Sequence, residues 1–118
     1  MKIPGGYGIV KTMLKAEEKE ILRRFKNEIE KALGDRLDRI VLFGSRSRKD
    51  ADPDSDFDLL VTAKSLQQTD RKIILEIAAD LSLEYSTVLA VLVVPTSDFR
   101  EDRYFYLYEN IQKEGQVV

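Results

Sequence analysis

Two aspartates and a glycine–serine pair are the residues of this sequence best suited to act together in chemistry. Gly44-Ser45 is followed, after ten intervening residues, by Asp56-Phe57-Asp58. Because side chains alternate along a strand, Asp56 and Asp58 should project from one face, where both carboxylates can approach the same cation. Magnesium prefers such oxygen ligands and usually takes one or two carboxylates, with water and substrate phosphate completing its coordination shell. We therefore predict that Asp56 and Asp58 bind magnesium.

The Gly44-Ser45 pair predicts a phosphate-binding turn beside that metal. Glycine lets the backbone approach a ligand closely, and Ser45 offers both a hydroxyl and a backbone N–H to phosphate oxygens. If residues 45–49 form a helical turn, its N-terminus adds partial positive charge at the same place. Three basic side chains of this segment either add charge-assisted phosphate contacts or form a solvated surface that balances the nearby aspartates: Arg46, Arg48 and Lys49.

The elements that must position these residues alternate between helices and strands, which favours an α/β (α+β) fold with a small mixed sheet flanked by helices. Residues 1–14 read as a flexible leader and residues 15–118 as one domain. The predicted elements are a helix over about 16–33 ended by Gly34, strands over 39–43 and 57–61, a helix over about 70–83, a strand over 88–94 ended by Pro95, and a last helix that follows residues 96–98 and ends at Gly115.

Some of these elements carry more detailed predictions. Thr69 is a plausible cap for the helix over 70–83, and its inward face should hold Ile73 together with Ile74, Ile77, Ala78 and Leu81. The strand over 88–94 is nearly all aliphatic, which predicts a central strand covered on both faces.

Composition excludes several classes of protein. The 118 residues contain no cysteine and no histidine, so disulfides, thiolate or imidazole zinc sites and histidine-based nucleophile pairs are excluded. Nineteen Lys and Arg against 21 Asp and Glu leave a net charge of -2, which does not predict strong nucleic-acid binding. No apolar stretch is long enough for a membrane span, so we expect a cytoplasmic protein.

The pattern around these motifs resembles that of the DNA polymerase beta-like nucleotidyltransferase superfamily, and within it the minimal nucleotidyltransferases. The resemblance rests on Gly44-Ser45, the ten-residue spacing, and Asp56-x-Asp58, with Leu42-Phe43 before and Leu59-Leu60-Val61 after. It implies two magnesium ions and transfer of a nucleoside monophosphate from a nucleoside triphosphate, ATP being expected, to an acceptor hydroxyl. It also implies an all-helical HEPN partner, for which such proteins act as antitoxin and which some of them modify with AMP.

The sequence departs from this superfamily at one place. The superfamily usually places a third carboxylate on the next core strand, but residues 88–94 contain no acid, and Glu84 lies before that strand. An alternative function therefore stays open, in which the protein binds nucleotide or a HEPN-type partner without transfer.

Two other patterns have simpler explanations. The acidic stretch 50–56 is not a calcium loop, because Pro53 interrupts it and the central glycine and closing glutamate are missing. Tyr104, Tyr106 and Tyr108 could stack on a base, but their spacing is more typical of packing or of an interface, and self-association is one hypothesis.

Overall fold

The computed structural model describes residues 8–9, 15–43, 56–100 and 115–118. The described elements, in chain order, are β1 (Gly8–Ile9), α1 (Ala16–Leu33), a short 3-10 helix (Gly34–Arg36), β2 (Leu37–Phe43), β3 (Phe57–Ala63), α2 (Gln68–Glu84), β4 (Leu89–Pro95), α3 (Thr96–Arg100) and β5 (Gln116–Val117).

The described strands form one mixed sheet in the order β1-β5-β2-β3-β4. Strands β2 and β3 are antiparallel, and β3 and β4 are parallel, joined through α2. At the other side, β5 is antiparallel to β2 and parallel to β1. The predicted fold class, a small mixed sheet flanked by helices, is confirmed.

Helix α1 lies where its apolar spacing predicts it. It starts after Lys15, whose backbone N–H donates a 2.7 Å hydrogen bond to the Glu18 carboxylate. It ends at Gly34, which adopts φ 58°, a backbone conformation that glycine allows at little cost. The buried side of α1 packs toward the sheet through five residues: Ile21, Leu22, Phe25, Ile29 and Leu33.

Helix α2 is longer than predicted, and two details of its prediction were wrong. The helix starts at Gln68 rather than after Thr69, and the Gln67 N–H donates a 3.0 Å hydrogen bond to the Asp70 carboxylate. Ile73 does not face inward, since it is 40% exposed. The buried stripe runs through Asp70, Ile74, Ala78 and Leu81, and Ile73 lies off this stripe because consecutive helical residues are about 100° apart.

The prediction that residues 88–94 form a central, fully covered strand was also wrong. Strand β4 is outermost among the described strands, and both Ala90 and Leu92 are exposed on one of its faces. Helix α2 instead protects part of its outer edge: the Leu89 N–H donates to the Ser82 hydroxyl at 3.0 Å, and Arg71 donates to the Val93 carbonyl at 2.7 Å. An aliphatic run alone does not distinguish a central strand from an edge strand whose backbone is capped by side chains.

The short strands at the two ends of the described chain were not predicted. Gly8–Ile9 lies inside the segment expected to be a leader, and Gln116–Val117 follows Gly115, which was expected to end a helix. Two-residue strands carry no periodicity in sequence, so only their sheet partners reveal them. The last helix was predicted to follow residues 96–98, but it begins at Thr96, so these residues belong to the helix. The tyrosines at 104, 106 and 108 lie outside the described residues.

The main core lies between the sheet and the pair of helices α1 and α2, which contact each other. The helix-facing side chains of β3 are Phe57, Leu59, Val61 and Ala63, all part of this core. None of the described helices is long and apolar enough to cross a membrane.

Candidate functional site at one end of the sheet

Asp58 lies near the start of β3, between two neighbouring strands. It is paired with Phe43 on β2 and with Ala90 on β4. Because Phe57 points into the core under the helices, strand alternation places the Asp58 side chain on the opposite face of the sheet. Asp56 precedes the strand and is exposed, whereas Asp58 is half-buried. The two predicted metal ligands therefore lie together at one end of β3.

Burial and the neighbouring charge both act on Asp58. Burial is the larger effect and raises the pKa of the Asp58 carboxyl, and the Asp56 carboxylate raises it further. The two carboxylates are separated by one residue in the chain, and their negative charges repel each other. A cation bound between them would relieve that repulsion, which is the electrostatic setting expected of a divalent metal site.

The face of the sheet that carries Asp58 is buried in the middle of β2 and β3, partly exposed at Asp58 and exposed along part of β4. Three side chains farther along this face are fully buried, namely Val41, Leu60 and Thr62. Ala90 and Leu92, by contrast, are exposed on the neighbouring strand. Leu92 pairs with Leu60, so solvent reaches this face at Asp58 and along β4 at Ala90 and Leu92, but not at the buried side chains of β2 and β3.

The predicted phosphate-binding residues lie in a segment outside the described residues. Gly44, Ser45, Arg46 and Arg48 all belong to residues 44–55. The chain enters this segment from Phe43, the residue paired with Asp58, and returns from it at Asp56. Both ends of the segment therefore meet the sheet at the end that carries the aspartates.

The donor set fits magnesium that shares its shell with water and phosphate. The described part of the chain contains no group of three or more acidic, His or Cys residues able to hold a metal ion. Within the described residues, Asp56 and Asp58 would thus provide two carboxylate ligands, which is a number that magnesium commonly takes from a protein at phosphate-processing sites.

The position beside Asp58 on β4 is occupied by an alanine. Parallel pairing sets Ala90 opposite Asp58, about 4.8 Å away as for any two neighbouring strands. Glu84 does not substitute for a third carboxylate, because it ends α2 and accepts a hydrogen bond from Arg24 of α1. The third acidic position that the superfamily usually fills on this strand is therefore apolar here.

Two cavities lie at opposite ends of the sheet. One of about 360 Å³ is lined by α1, by Phe57 and by the turn over residues 85–87, next to the aspartates. The other, of about 440 Å³, lies beside Ala63 and Pro95 at the far ends of β3 and β4. Sequence analysis missed the first cavity, since its lining comes from segments far apart in the chain and has no motif of its own.

A protein-family model matches most of this chain. Residues 22–118 match the family model described as nucleotidyltransferase domain, a span that includes the Gly44-Ser45 and Asp56-x-Asp58 motifs. The chain belongs to this family.

Curated relatives of this nucleotidyltransferase domain come from Methanocaldococcus jannaschii. Two of them carry the name "putative protein adenylyltransferase". One is 37% identical over 75 residues, covering 63% of this chain and 76% of the relative. The other is 26% identical over 101 residues, covering 86% of this chain and 97% of the relative.

Solved structures share the fold of the nucleotidyltransferase domain. A mutant of the toxin–antitoxin MntA-HpeT matches with a TM-score of 0.53 and 21% identity, over 85% of this chain and 70% of that one. A toxin–antitoxin crystallised with AMP-PNP matches with a TM-score of 0.54 and 25% identity, over the same shares of the two chains. The resemblance to minimal nucleotidyltransferases is confirmed.

Proposed function

We propose that this nucleotidyltransferase domain transfers AMP from ATP to a hydroxyl group of a partner protein. The observation that carries the proposal is the placement of Asp58 beside Asp56 at the open end of the sheet, where the Gly44-Ser45 segment leaves β2. The names of the relatives as protein adenylyltransferases support AMP as the transferred group, and the neighbour with AMP-PNP supports an adenine nucleotide as substrate.

The partner in this proposal is the toxin of a toxin–antitoxin pair, with the present chain as antitoxin. The two structural neighbours named above are described as toxin–antitoxin proteins. The resemblance to minimal nucleotidyltransferases adds that the toxin is an all-helical HEPN protein.

In the proposed reaction an acceptor oxygen forms a bond to the α-phosphorus of ATP while the bond from that phosphorus to the β-phosphate bridge oxygen breaks. Pyrophosphate leaves, and the acceptor proton passes to solvent. Asp56 and Asp58 would hold magnesium, which neutralises charge on the phosphates and on the departing pyrophosphate. Gly44 and Ser45 would orient the phosphates, which fixes the α-phosphorus in line with the acceptor.

Labelled ATP tests this proposal directly. Incubation with magnesium, the proposed HEPN partner protein and ATP labelled in the α-phosphate should leave label on the partner, whereas ATP labelled in the γ-phosphate should leave none. That contrast separates AMP transfer from phosphorylation. Absence of adduct from α-labelled ATP, under conditions where the chain binds ATP, would favour the second candidate below.

The second candidate is a domain that binds nucleotide and its partner without transferring AMP. The alanine opposite Asp58 favours it, because no acidic side chain of β4 is available to accept the acceptor proton. A carboxylate pair can hold a metal–nucleotide complex without this third group, so binding can persist where transfer does not.

Introducing an acid at that position distinguishes the two candidates. In Ala90→Asp the new carboxylate would lie beside Asp58 on an exposed part of the strand, where bound magnesium would offset its repulsion from Asp58. If the chain transfers AMP, we expect the transfer rate to rise at least about tenfold, because a positioned general base typically contributes more than this. Ala90→Asn is the matched control and should not raise the rate. A chain that stays inactive with Asp at this position would contradict the transferase proposal.

A further inference from the structure

The cavity next to the aspartates shares a residue with the site. Phe57 lines it, and this residue lies between Asp56 and Asp58 in the chain. The Phe57 N–H donates a 2.8 Å hydrogen bond to the Val88 carbonyl, which fastens the turn over residues 85–87 to the start of β3. Phe57 is one residue away from both Asp56 and Asp58, and consecutive Cα atoms are about 3.8 Å apart. This part of the cavity lining therefore lies next to the aspartates.

The lining combines an apolar floor with polar walls. Phe57 and Ile21 form the floor and are 1% and 2% exposed. The other lining residues are Lys15, Glu17, Glu18, Tyr85, Ser86 and Thr87. Small-molecule sites have this character, with apolar and aromatic surface interrupted by a few polar groups, and a volume of about 360 Å³ is at the small end of their range.

Tyr85 is held in place before any ligand binds. Its hydroxyl accepts a 3.1 Å hydrogen bond from Arg24, and the carbon of the same guanidinium lies 5.6 Å from the centre of the ring. Arg24 is in turn bonded to the Glu84 carboxylate. An aromatic side chain fixed in this way gives a stacking surface at low entropic cost, because little freedom remains to be lost on binding.

The charged side chains of the cavity favour a neutral group over a polyphosphate. Glu17, Glu18 and Lys15 line it, so two carboxylates outweigh one ammonium and leave a net negative charge. The Glu17 carboxylate and the neighbouring hydroxyls can accept hydrogen bonds, so they suit a ligand that offers N–H donors beside a flat apolar surface. A nucleobase with an exocyclic amino group has both properties.

We propose that this cavity binds the base of the nucleotide, with preference for bases that carry an exocyclic amino group, while the phosphates lie with the metal at Asp56 and Asp58. The inference rests on the proposed function and extends it by assigning base selection to the helix side of the sheet. In this arrangement the nucleotide passes around the start of β3, from the cavity on one face to the carboxylates on the other.

Calorimetric titration with three ligands tests the assignment, namely ATP, UTP and inorganic tripolyphosphate, each with magnesium. The wild-type chain should bind ATP more tightly than UTP. Thr87→Phe fills the cavity and should weaken ATP binding about tenfold, the loss of one good contact, while tripolyphosphate binding stays unchanged. Glu17→Gln, at an exposed position, should reduce the difference in affinity between ATP and UTP. It should leave the affinity for tripolyphosphate unchanged.

Matched controls separate this inference from the proposed function. Ser97→Phe adds the same side chain beside the distant cavity and should leave all three affinities unchanged. Asp56→Ala should weaken both ATP and tripolyphosphate. If Thr87→Phe binds ATP as tightly as the wild type, or loses affinity for tripolyphosphate as much as for ATP, the cavity does not bind the base. Either result would leave the proposed function intact. If the wild-type chain binds neither ATP nor tripolyphosphate, the proposed function and this inference are both overturned.

Discussion

Replacing Asp58 with asparagine should lower the rate of AMP transfer by about 10³-fold, because a metal ion contributes several kcal/mol of charge stabilisation at such a site. The substitution keeps the shape of the side chain and removes its negative charge. Asp58 lies in the strand between Phe43 and Ala90, and it is half-buried, so the chain cannot easily supply another carboxylate there. Initial rates with α-labelled ATP and the partner protein measure the effect, and titration with magnesium–ATP should show the accompanying loss of affinity.

The same variant should be as stable as the wild type, or more stable. Burial and the Asp56 charge both raise the pKa of the Asp58 carboxyl, which means that the folded protein without metal disfavours its negative charge. The neutral amide removes that repulsion. Loss of activity together with an unchanged or higher melting temperature would therefore identify a functional rather than a structural carboxylate.

Asp98 gives a control for the loss of an acidic side chain elsewhere. It lies in α3, after the far end of β4, and Asp98→Asn should leave transfer within about twofold of wild type, as for a substitution outside the site. Retention of full transfer activity by Asp58→Asn would contradict the assignment of the metal site. An equal loss in both variants would point to a general effect of removing an acid.

The position of Asp58 could be predicted from sequence because it is local. Asp58 is the second residue of β3, next to β2, and strand alternation fixes the direction of its side chain. Gly44 and Ser45 lie outside the described residues, so the phosphate-binding turn stays a prediction. Helix α1 was predicted with the bounds that the structure shows because five apolar residues recur at helical spacing and Gly34 ends the pattern.

The features that sequence did not reveal depend on contacts between distant segments. The exposure of Ala90 and Leu92 follows from the position of β4 at the outside of the described sheet, which its aliphatic composition does not encode. The residue opposite Asp58 is fixed by the register of β3 and β4, strands separated by a whole helix. The cavity near the aspartates likewise joins α1 to the turn after α2, so only the fold brings its walls together.

Stability depends on a second carboxylate that has no part in the site. Asp70 is 4% exposed and accepts hydrogen bonds from two nitrogens of the Arg36 guanidinium, one of them at 2.9 Å. It also accepts the Gln67 N–H at the start of α2, while the Lys64 N–H donates to the Arg36 carbonyl at 2.7 Å. This ion pair, with its neighbouring hydrogen bonds, therefore links the 3-10 helix before β2 to the segment between β3 and α2.

Replacing Asp70 with alanine should lower the free energy of unfolding by about 2 kcal/mol at pH 7, because a buried carboxylate with charge-assisted hydrogen bonds is lost. The Arg36 guanidinium, followed by the Gln67 N–H, holds the pKa of the Asp70 carboxyl below its ordinary value. A lowered pKa contributes stability that is fully present above the pKa of the unfolded chain and is lost as the pH falls through the folded value. Urea unfolding at a series of pH values should thus show the wild type and Asp70→Ala converging in acid.

Arg36→Ala gives the complementary test, since it leaves the Asp70 carboxylate buried without its main partner. We expect this variant to lose stability at neutral pH and to recover part of the loss, relative to wild type, as acid protonates the carboxylate. The double variant should be less destabilised than the sum of the two single variants, because the residues act on each other directly. Strictly additive losses, or a stability difference that does not change with pH, would show that the ion pair does not couple these segments. Neither Asp70→Ala nor Arg36→Ala should alter the relative affinities for ATP, UTP and tripolyphosphate. The ion pair lies beside Lys64, whose N–H is hydrogen-bonded to Arg36, and Lys64 follows the end of β3 that is far from the aspartates.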